Sequence, residues 1–427
     1  MGRIDLPEGW ADIVDGRYVL RPGIHDVLAP IRITGGKVHL GGTRVEGRVA
    51  TTLRRGRSAD GELYRGHLFE IADAEDVRLS DMDVDGGRFR DGLDLRHPLD
   101  SDRSSPRFLS AQTLDAPACF EPAAWRSAFA ADVSVHTAAG LELDAVTLRN
   151  AIGIGMALGP GCRDVKLRNC AITASGDYGL WIGGGLPGDV GLPVPEALAM
   201  RLPRHIGLEA CLIERCGAAG LYIEALDVTV SDTTFLQNHF DAPYDDESGQ
   251  IVIDYKAGGT RLTRCHILAG GLLTRRAVAP RDPERLLGTF GIEASGSDLT
   301  LKDCVISGNS REGIQLMGAR NVTITGRSRI AGNQLAALHP LDIPRPLQNI
   351  TATTTAHLRA LGAVASGLTL NGLRCENGVV LWPHPSAPDA RFDDLTVADC
   401  DLSGPGASGV FVVEGAGGSP RGRNWQL

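Results

Sequence analysis

A unit of three short segments, each alternating apolar and polar residues, recurs through most of this 427-residue chain and limits its possible folds more than any other feature. Segment A places one polar residue between two aliphatic residues. Its copies are Val77–Leu79, Val165–Leu167, Val228–Val230, Leu299–Leu301, Val322–Ile324 and Leu368–Leu370. Segment B follows within a few residues and begins with cysteine: Cys170–Ile172, Cys211–Ile213, Cys265–Ile267, Cys304–Ile306 and Cys400–Leu402. Segment C follows a polar turn and begins with glycine: Gly92–Leu95, Gly179–Ile182, Gly220–Ile223, Gly291–Ala294, Gly313–Leu316 and Gly409–Val412.

The period of two predicts β-strands with one buried face and one outward face. Each strand is too short to be stable alone, but parallel stacking pairs every strand with its copies above and below and gives one continuous core. The sequence therefore predicts an all-β, single-stranded right-handed parallel β-helix, a solenoid with long loops beside one sheet. In this prediction residues 71–427 form the β-helix, and residues 1–70 form irregular first coils that cap it.

The repeats resemble the parallel β-helix repeat family that includes pectate lyases, polygalacturonases and phage tailspikes. The resemblance covers about residues 70 to 420 and implies the same fold. The family has many activities, so the function of this chain has to be argued from its own outward residues.

The cysteines fit this fold. Five of the nine cysteines begin segment B, and Cys375 has a comparable place, so we expect a ladder of reduced thiols buried along the core. A metal site is the alternative, but these cysteines lie on successive coils and lack the paired spacing of zinc ligands.

Long insertions border segment C on both sides. Residues 97–133 and 184–204 follow it, whereas 268–288, 334–362 and a shorter acidic stretch, 239–248, precede it. Loops held by a rigid scaffold often carry function. We therefore expect the outward face of segment C to form the exposed floor of a cleft.

Two rows of outward residues follow from the alternation in segment C. The first row is Asp94, Ala157, Trp181, Tyr222, Val252, Glu293 and Gln315. The second row, two positions later, is Arg96, Gly159, Gly183, Glu224, Asp254, Ser295 and Met317. Adjacent coils lie about 4.8 Å apart, so Trp181 is expected beside Tyr222, and Glu224 beside Asp254.

Aromatic rings beside carboxylates suit an oligosaccharide or polysaccharide, because rings stack on sugar C–H faces and carboxylates accept hydroxyl hydrogen bonds. Glycoside cleavage needs one carboxyl group as acid and another as base or nucleophile. The candidate catalytic residues are Glu224, Asp254 and Glu293, with Asp94, Trp181, Tyr222 and Gln315 contacting substrate. This set predicts a glycoside hydrolase or a glycan-modifying transferase.

A polysaccharide lyase or uronate epimerase is the second reading. Elimination needs a base, which Lys256 just beyond the second row would supply, and a cation for the substrate carboxylate, for which Arg311 is a candidate. An acidic floor repels a polyuronate, so this reading ranks below hydrolysis.

The acidic loop gives three alternatives. The loop would supply another catalytic acid, with Asp246 in contact with substrate, or Asp241, Asp245, Asp246 and Glu247 would together supply oxygen ligands for calcium. The spacing of an EF-hand is missing, so no cofactor is expected. A solvated acidic turn is the third alternative.

The net charge of −9 argues against nucleic acid as a partner, since phosphate neutralisation needs a basic face. No apolar run is long enough to span a membrane, and no secretory signal is visible. A cytoplasmic or virion-associated protein is therefore expected. A non-catalytic glycan-binding spike or fibre remains open as a third function, and it would predict a trimer.

Overall fold

A computed structural model gives the architecture. It describes residues 2–90, 130–183, 201–239, 249–271, 289–317, 319–333, 350–353, 365–366, 368–372, 374–375, 379–382, 392–393, 396–401, 410–412 and 423–425. In these ranges the chain contains strands and turns without an α-helix, and no helix there is long and apolar enough to cross a membrane. The chain divides into a first unit, Met1–Pro187 with Pro195–Leu226, and a second unit, Gly188–Val194 with Asp227–Leu427.

The strands of the first unit are, in chain order, β1 Arg3–Asp5, β2 Ala11–Val14, β3 Arg17–Leu20, β4 Gly23–Val27, β5 Ile31–Gly41, β6 Arg44–Val45, β7 Arg48–Val49, β8 Thr51–Arg55, β9 Phe69–Asp85, β10 Ala131–Ala139, β11 Glu142–Arg149, β12 Ile154–Leu158, β13 Arg163–Arg168, β14 Ala171–Thr173, β15 Leu180–Ile182, β16 Arg204–Glu209, β17 Leu212–Glu214 and β18 Leu221–Ile223.

The strands of the second unit, the first of which begins at the last residue of the first unit, are β19 Leu226–Ser231, β20 Thr234–Leu236, β21 Gly249–Ile253, β22 Arg261–Thr263, β23 His266–Leu268, β24 Phe290–Ala294, β25 Thr300–Lys302, β26 Val305–Ser307, β27 Ile314–Met317, β28 Val322–Thr325, β29 Arg329–Ala331, β30 Ile350–Thr353, β31 Ala365–Ser366, β32 Leu368–Asn371, β33 Arg374–Cys375, β34 Val379–Trp382, β35 Phe392–Asp393, β36 Thr396–Ala398, β37 Val410–Val412 and β38 Arg423–Trp425.

Each unit consists of three parallel stacks, one for each repeated segment, as the sequence predicts. In the first unit β11, β13 and β16 continue the A stack, β14 and β17 the B stack, and β10, β12, β15 and β18 the C stack. The long strands β5 and β9 each bend through more than one stack. The antiparallel strands β1 and β2 end the C and A stacks at the N-terminus.

The second unit repeats the arrangement. Its A stack is β19, β22, β25, β28, β32 and β36, and its B stack is β20, β23, β26, β29 and β33. Its C stack is β21, β24, β27, β30, β34 and β37, on which β38 lies antiparallel. The inward side chains of each coil form the apolar core.

The cysteines that begin segment B occupy a recurring turn between the A and B strands. The residue before each of them has a left-handed backbone, for example Arg264 at φ 51° before Cys265. The Cys265 thiol lies 3.5 Å from the carbonyl oxygens of Val230 and Thr263 and donates to them. Thr233 makes the equivalent bond with its hydroxyl, 2.8 Å from the Ser231 oxygen. A small donor side chain is therefore one solution for this turn, while Met82 and Val146 fill the same position with apolar side chains after the left-handed Asp81 and Ala145.

The predicted ladder of reduced thiols is found for four cysteines that are free and buried, Cys170, Cys211, Cys265 and Cys304, while Cys400 is half-buried. Cys375 differs from the prediction. It lies opposite Ile330, at the last position of segment B, so it does not occupy the turn position of the others.

Candidate functional site

The outward rows of segment C have the predicted register. In the first unit Ala157 lies opposite Trp181, and Trp181 opposite Tyr222. In the second unit Val252 lies opposite Glu293, and Glu293 opposite Gln315. The flanking rows are almost entirely aliphatic, which assigns them to the core and assigns these residues to the outward side, since successive side chains alternate across a strand.

The outward face is buried, and the expectation of an exposed cleft floor is wrong. Trp181 and Tyr222 are only 3% and 7% exposed, and Glu224 and Glu293 only 3% and 7%. A period of two predicts which side of the strand a residue takes, but it does not predict whether other parts of the chain cover that side.

Glu224 belongs to an aromatic cluster in the first unit. The Tyr222 hydroxyl lies 3.4 Å from Glu224 Oε1 and donates to it. The Tyr222 ring packs against Tyr178 with centroids 5.4 Å apart. Gly183 is beside Glu224 in the second row, and a Cβ atom there would lie 2.6 Å from Glu224 Oε2. The carboxylate therefore lies over a glycine, next to a tyrosine hydroxyl.

Asp254 and Lys256 form a second polar group, in the second unit directly after β21. Asp254 Oδ1 accepts the backbone N–H of Lys256 at 2.9 Å and lies 3.6 Å from Lys256 Nζ. The lysine side chain is 1% exposed and the aspartate side chain 12%. The ammonium group also lies 5.0 Å from the centre of the Tyr255 ring. A turn thus places one amine and one carboxylate in contact within an almost water-free setting.

Glu293 lies one coil away from Asp254 and two positions away along the strand. A coil spacing of about 4.8 Å and a two-residue rise of about 6.6 Å place their Cβ atoms about 8 Å apart. This diagonal pair is contained in the second unit. Glu224 belongs to the first unit, so its predicted pairing with Asp254 or Glu293 stays a prediction.

Arg311 is a further cation of the second unit. Its guanidinium lies 3.8 Å from the centre of the Phe290 ring and 3.6 Å from a carboxylate oxygen of Glu312. Both ionic side chains are largely buried, at 16% and 9% exposed. The aromatic face and the carboxylate hold the guanidinium in one place.

Some predicted residues lie outside the described ranges: Asp94, Asp246 and the other calcium candidates Asp241, Asp245 and Glu247. The place beside Ala157 that was predicted for Asp94 is taken by Ser134 of β10. Within the described ranges, no group of three or more His, Cys, Asp or Glu side chains is arranged to hold a metal ion.

Sequence reasoning missed Ser134, His136 and Tyr178. Strand β10 has neither the leading glycine nor a nearby cysteine, so the sequence pattern places its first residues in the insertion at 97–133. The sequence does contain one signal for this strand: Asp132, Ser134 and His136 alternate with Val133 and Val135, as in a strand with one buried face. Tyr178 precedes segment C, in a turn where periodicity carries no information.

One comparison with known protein families agrees with the observed fold. Residues 131–339 match a family model described as a right-handed beta helix region. No curated protein matches the sequence.

Among solved structures, the chain is similar to the A-module of the mannuronan C-5 epimerase AlgE6 from Azotobacter vinelandii, at 12% identity and a TM-score of 0.47, over 93% of this chain and 91% of that one. It is also similar to the endo-xylogalacturonan hydrolase of Aspergillus tubingensis, at 8% identity and a TM-score of 0.40, over 94% and 91%. The ORF18 protein of Geobacillus virus E2 is 11% identical with a TM-score of 0.39, over 94% of this chain, which spans only 54% of the viral chain. The family match over residues 131–339 and the parallel strand stacks of both units identify the fold as a right-handed parallel β-helix.

Proposed function

We propose that this protein is a carbohydrate-active enzyme that cleaves an oligosaccharide or polysaccharide by hydrolysis. The observation that carries the proposal is the cluster in which Glu224 lies against the Tyr222 hydroxyl, on the face that also carries Trp181. An indole and a carboxylate on one face provide a stacking surface and a proton-transfer group for a sugar ring. The likeness to solved structures supports the fold alone, so the proposal depends on these side chains.

Glu224, Asp254 and Glu293 are the proposed catalytic residues. Asp254 and Glu293 lie diagonally on neighbouring coils, about 8 Å apart between Cβ atoms, and we propose them as an acid and base pair. Trp181 and Gln315 are proposed to contact sugar. Because this face is buried, substrate binding requires the residues that cover it to move, and we expect slow association.

Elimination or epimerisation of a uronate is the second candidate, and the contact between Lys256 and Asp254 favours it. In elimination the neutral amine of Lys256 removes the proton next to the sugar carboxylate, the bond from the neighbouring carbon to the glycosidic oxygen breaks, and Lys256 returns the proton to that oxygen, while Arg311 neutralises the carboxylate. The turn that places Lys256 Nζ 3.6 Å from Asp254 Oδ1 gives the amine a defined position.

A panel of neutral and uronic polysaccharides tests these candidates against one another. New reducing ends without ultraviolet absorbance of an unsaturated product support hydrolysis. Absorbance supports elimination by Lys256. Binding without turnover supports a glycan-binding spike, and a trimer in solution would add to that reading. No binding and no turnover across the panel contradicts a glycan partner.

Two carboxylate variants test the residues. Glu224→Gln and Asp254→Asn are each expected to lower kcat about a hundredfold, because removing a proton-transfer group costs roughly that factor. Matched controls are Glu214→Gln in the first unit and Asp232→Asn in the second, since both residues pair with surface arginines. Wild-type rates in both site variants contradict the assignment.

A further inference from the structure

We propose that Tyr222 and Gly183 are positioning residues for Glu224, so that the tyrosine acts through its hydroxyl on the carboxylate and is not a stacking surface for sugar. This inference rests on the proposed function, because it concerns the same carboxylate. It changes the role that the sequence predicts for Tyr222.

The Tyr222 ring is already occupied. It packs on Tyr178 at 5.4 Å between centroids with the planes inclined by 55°, and the residue is only 7% exposed. A ring that stacks on sugar has to offer a free face. The ring of Tyr222 instead anchors its own hydroxyl, and the hydroxyl is directed at Glu224 Oε1.

Gly183 provides the space beside the second carboxylate oxygen of Glu224, Oε2. A Cβ atom at this position would lie 2.6 Å from Oε2 and 2.8 Å from the Cβ atom of Glu224. Real Cβ atoms do not approach that closely, so any side chain here would push the carboxylate away. Glycine is required at this place for the close approach of Glu224, which lies directly opposite it in the next coil, as the hydrogen bond from the Glu224 N–H to the Ile182 oxygen shows.

These two contacts restrict Glu224 at its two carboxylate oxygens. The 3.4 Å separation is long for a hydrogen bond between oxygen atoms, and such contacts commonly shorten when substrate is bound. A carboxyl group that is held in place before substrate arrives loses little freedom in the transition state. The expected consequence is an effect on kcat with little effect on KM.

The test compares Tyr222→Phe, Tyr222→Leu and Gly183→Ala with the control Tyr18→Phe, which removes a hydroxyl from strand β3. We expect Tyr222→Phe to lower kcat about tenfold or more with KM unchanged, since a hydrogen bond to a charged group is worth about that factor. Gly183→Ala should do the same by displacing the carboxylate. In the Glu224→Gln background neither change should lower kcat further, because the group that they position is already gone. Normal kcat in Tyr222→Phe, with a raised KM in Tyr222→Leu, overturns the inference and makes Tyr222 a sugar platform.

A second measurement needs no substrate. Thermal unfolding of the single and double variants of Tyr222→Phe and Glu224→Ala should be non-additive, with the double variant losing no more midpoint temperature than Glu224→Ala alone. Additive shifts overturn the positioning role whatever the activity. Non-additive shifts with no turnover of any polysaccharide leave the positioning role intact and contradict the proposed function.

Discussion

The turn between the B and C strands is filled differently in the two units. In the first unit it holds an ion pair: Arg55 at the end of β8 lies 3.2 Å from Asp132 at the start of β10, and both side chains are fully buried. Arg55 also donates to the carbonyl oxygens of Gly86, Tyr64 and Gly66. Asp132 Oδ2 is buried with no hydrogen-bond partner in the described part of the chain.

The same turn of the second unit holds a chain of neutral amides. The Gln250 side chain donates to Asn309 Oδ1 at 2.7 Å, and the Asn309 amide donates to Asn333 Oδ1 at 2.8 Å. Gln250 also accepts the backbone N–H of Asn238. An amide has both donors and acceptors, so one residue can serve the coils above and below it.

This difference shows that the fold accepts either a charged pair or neutral amides in this turn. The hydrogen bonds of the chain of neutral amides form at every pH. The charge of the ion pair depends on pH. Burial raises the pKa of Asp132 to about 7 from an ordinary value of 3.8, against the opposing effect of Arg55. The two units should therefore respond differently to substitution and to pH.

The largest expected effect is that of Arg55→Met. It removes the guanidinium from a buried carboxylate and from three carbonyl oxygens, and we expect a loss of about 3–5 kcal/mol in the free energy of unfolding. Chemical unfolding measures it. The control is Arg54→Met, whose ion pair with Asp26 is at the surface and is worth at most about 1 kcal/mol. Similar losses in both variants would mean that the buried pair has no special role.

The second largest loss of stability is expected for a substitution in the chain of neutral amides. Asn309→Leu leaves the Gln250 amide and the Gly270 N–H without their acceptor, and we expect a loss of about 2–3 kcal/mol. Asn371→Leu, on an exposed position of β32, is the control. A loss larger than that of Arg55→Met would reverse the order of the two turns.

The pH response should be confined to the first unit. A folded pKa raised above the unfolded value means that the contribution of Asp132 is full below about pH 4 and is lost as the pH rises towards about 7. Hydrogen exchange of β8 and β10 measures this, with Asp132→Asn as the comparison. The difference in protection between wild type and the variant should change over this window. A constant difference would show that Asp132 does not titrate there.

The smallest changes in stability are expected in the turn between the A and B strands, which both units contain. Cys265→Ser in the second unit and Cys211→Ser in the first retain a donor, as Thr233 does naturally, and should change stability by less than about 1 kcal/mol. The alanine variants at both positions should cost about 1 kcal/mol more than serine, because the carbonyl oxygens lose their donor. Unequal costs between the units would show that this turn also differs between them.

The fold and the register were predictable because both follow from a period of two repeated coil after coil. Trp181, Tyr222 and Glu293 lie on the predicted side for that reason. The burial of that face was not predictable, since it depends on contacts between distant parts of the chain. The contact of Tyr178 with Tyr222 was missed because it joins a turn to a strand.

The thiol role of the cysteines was only partly predictable. Their burial follows from their regular spacing, but the bond from each thiol to a carbonyl oxygen follows from the left-handed residue before it. That residue is Asn169, Ala210, Arg264, Asp303 or Asp399, a set with no common chemistry that periodicity could detect.

The variety at that left-handed position has a consequence for how such a chain changes in evolution. Because the turn depends on backbone shape more than on a particular side chain, the sequence of one coil determines its own turn and needs no matching change in the neighbouring coils. A whole coil can then be duplicated or deleted within one gene while the pairing of the remaining coils is kept. The number of coils can therefore change in evolution independently of the residues on the outward face. Coils with new outward residues can be added beside existing ones.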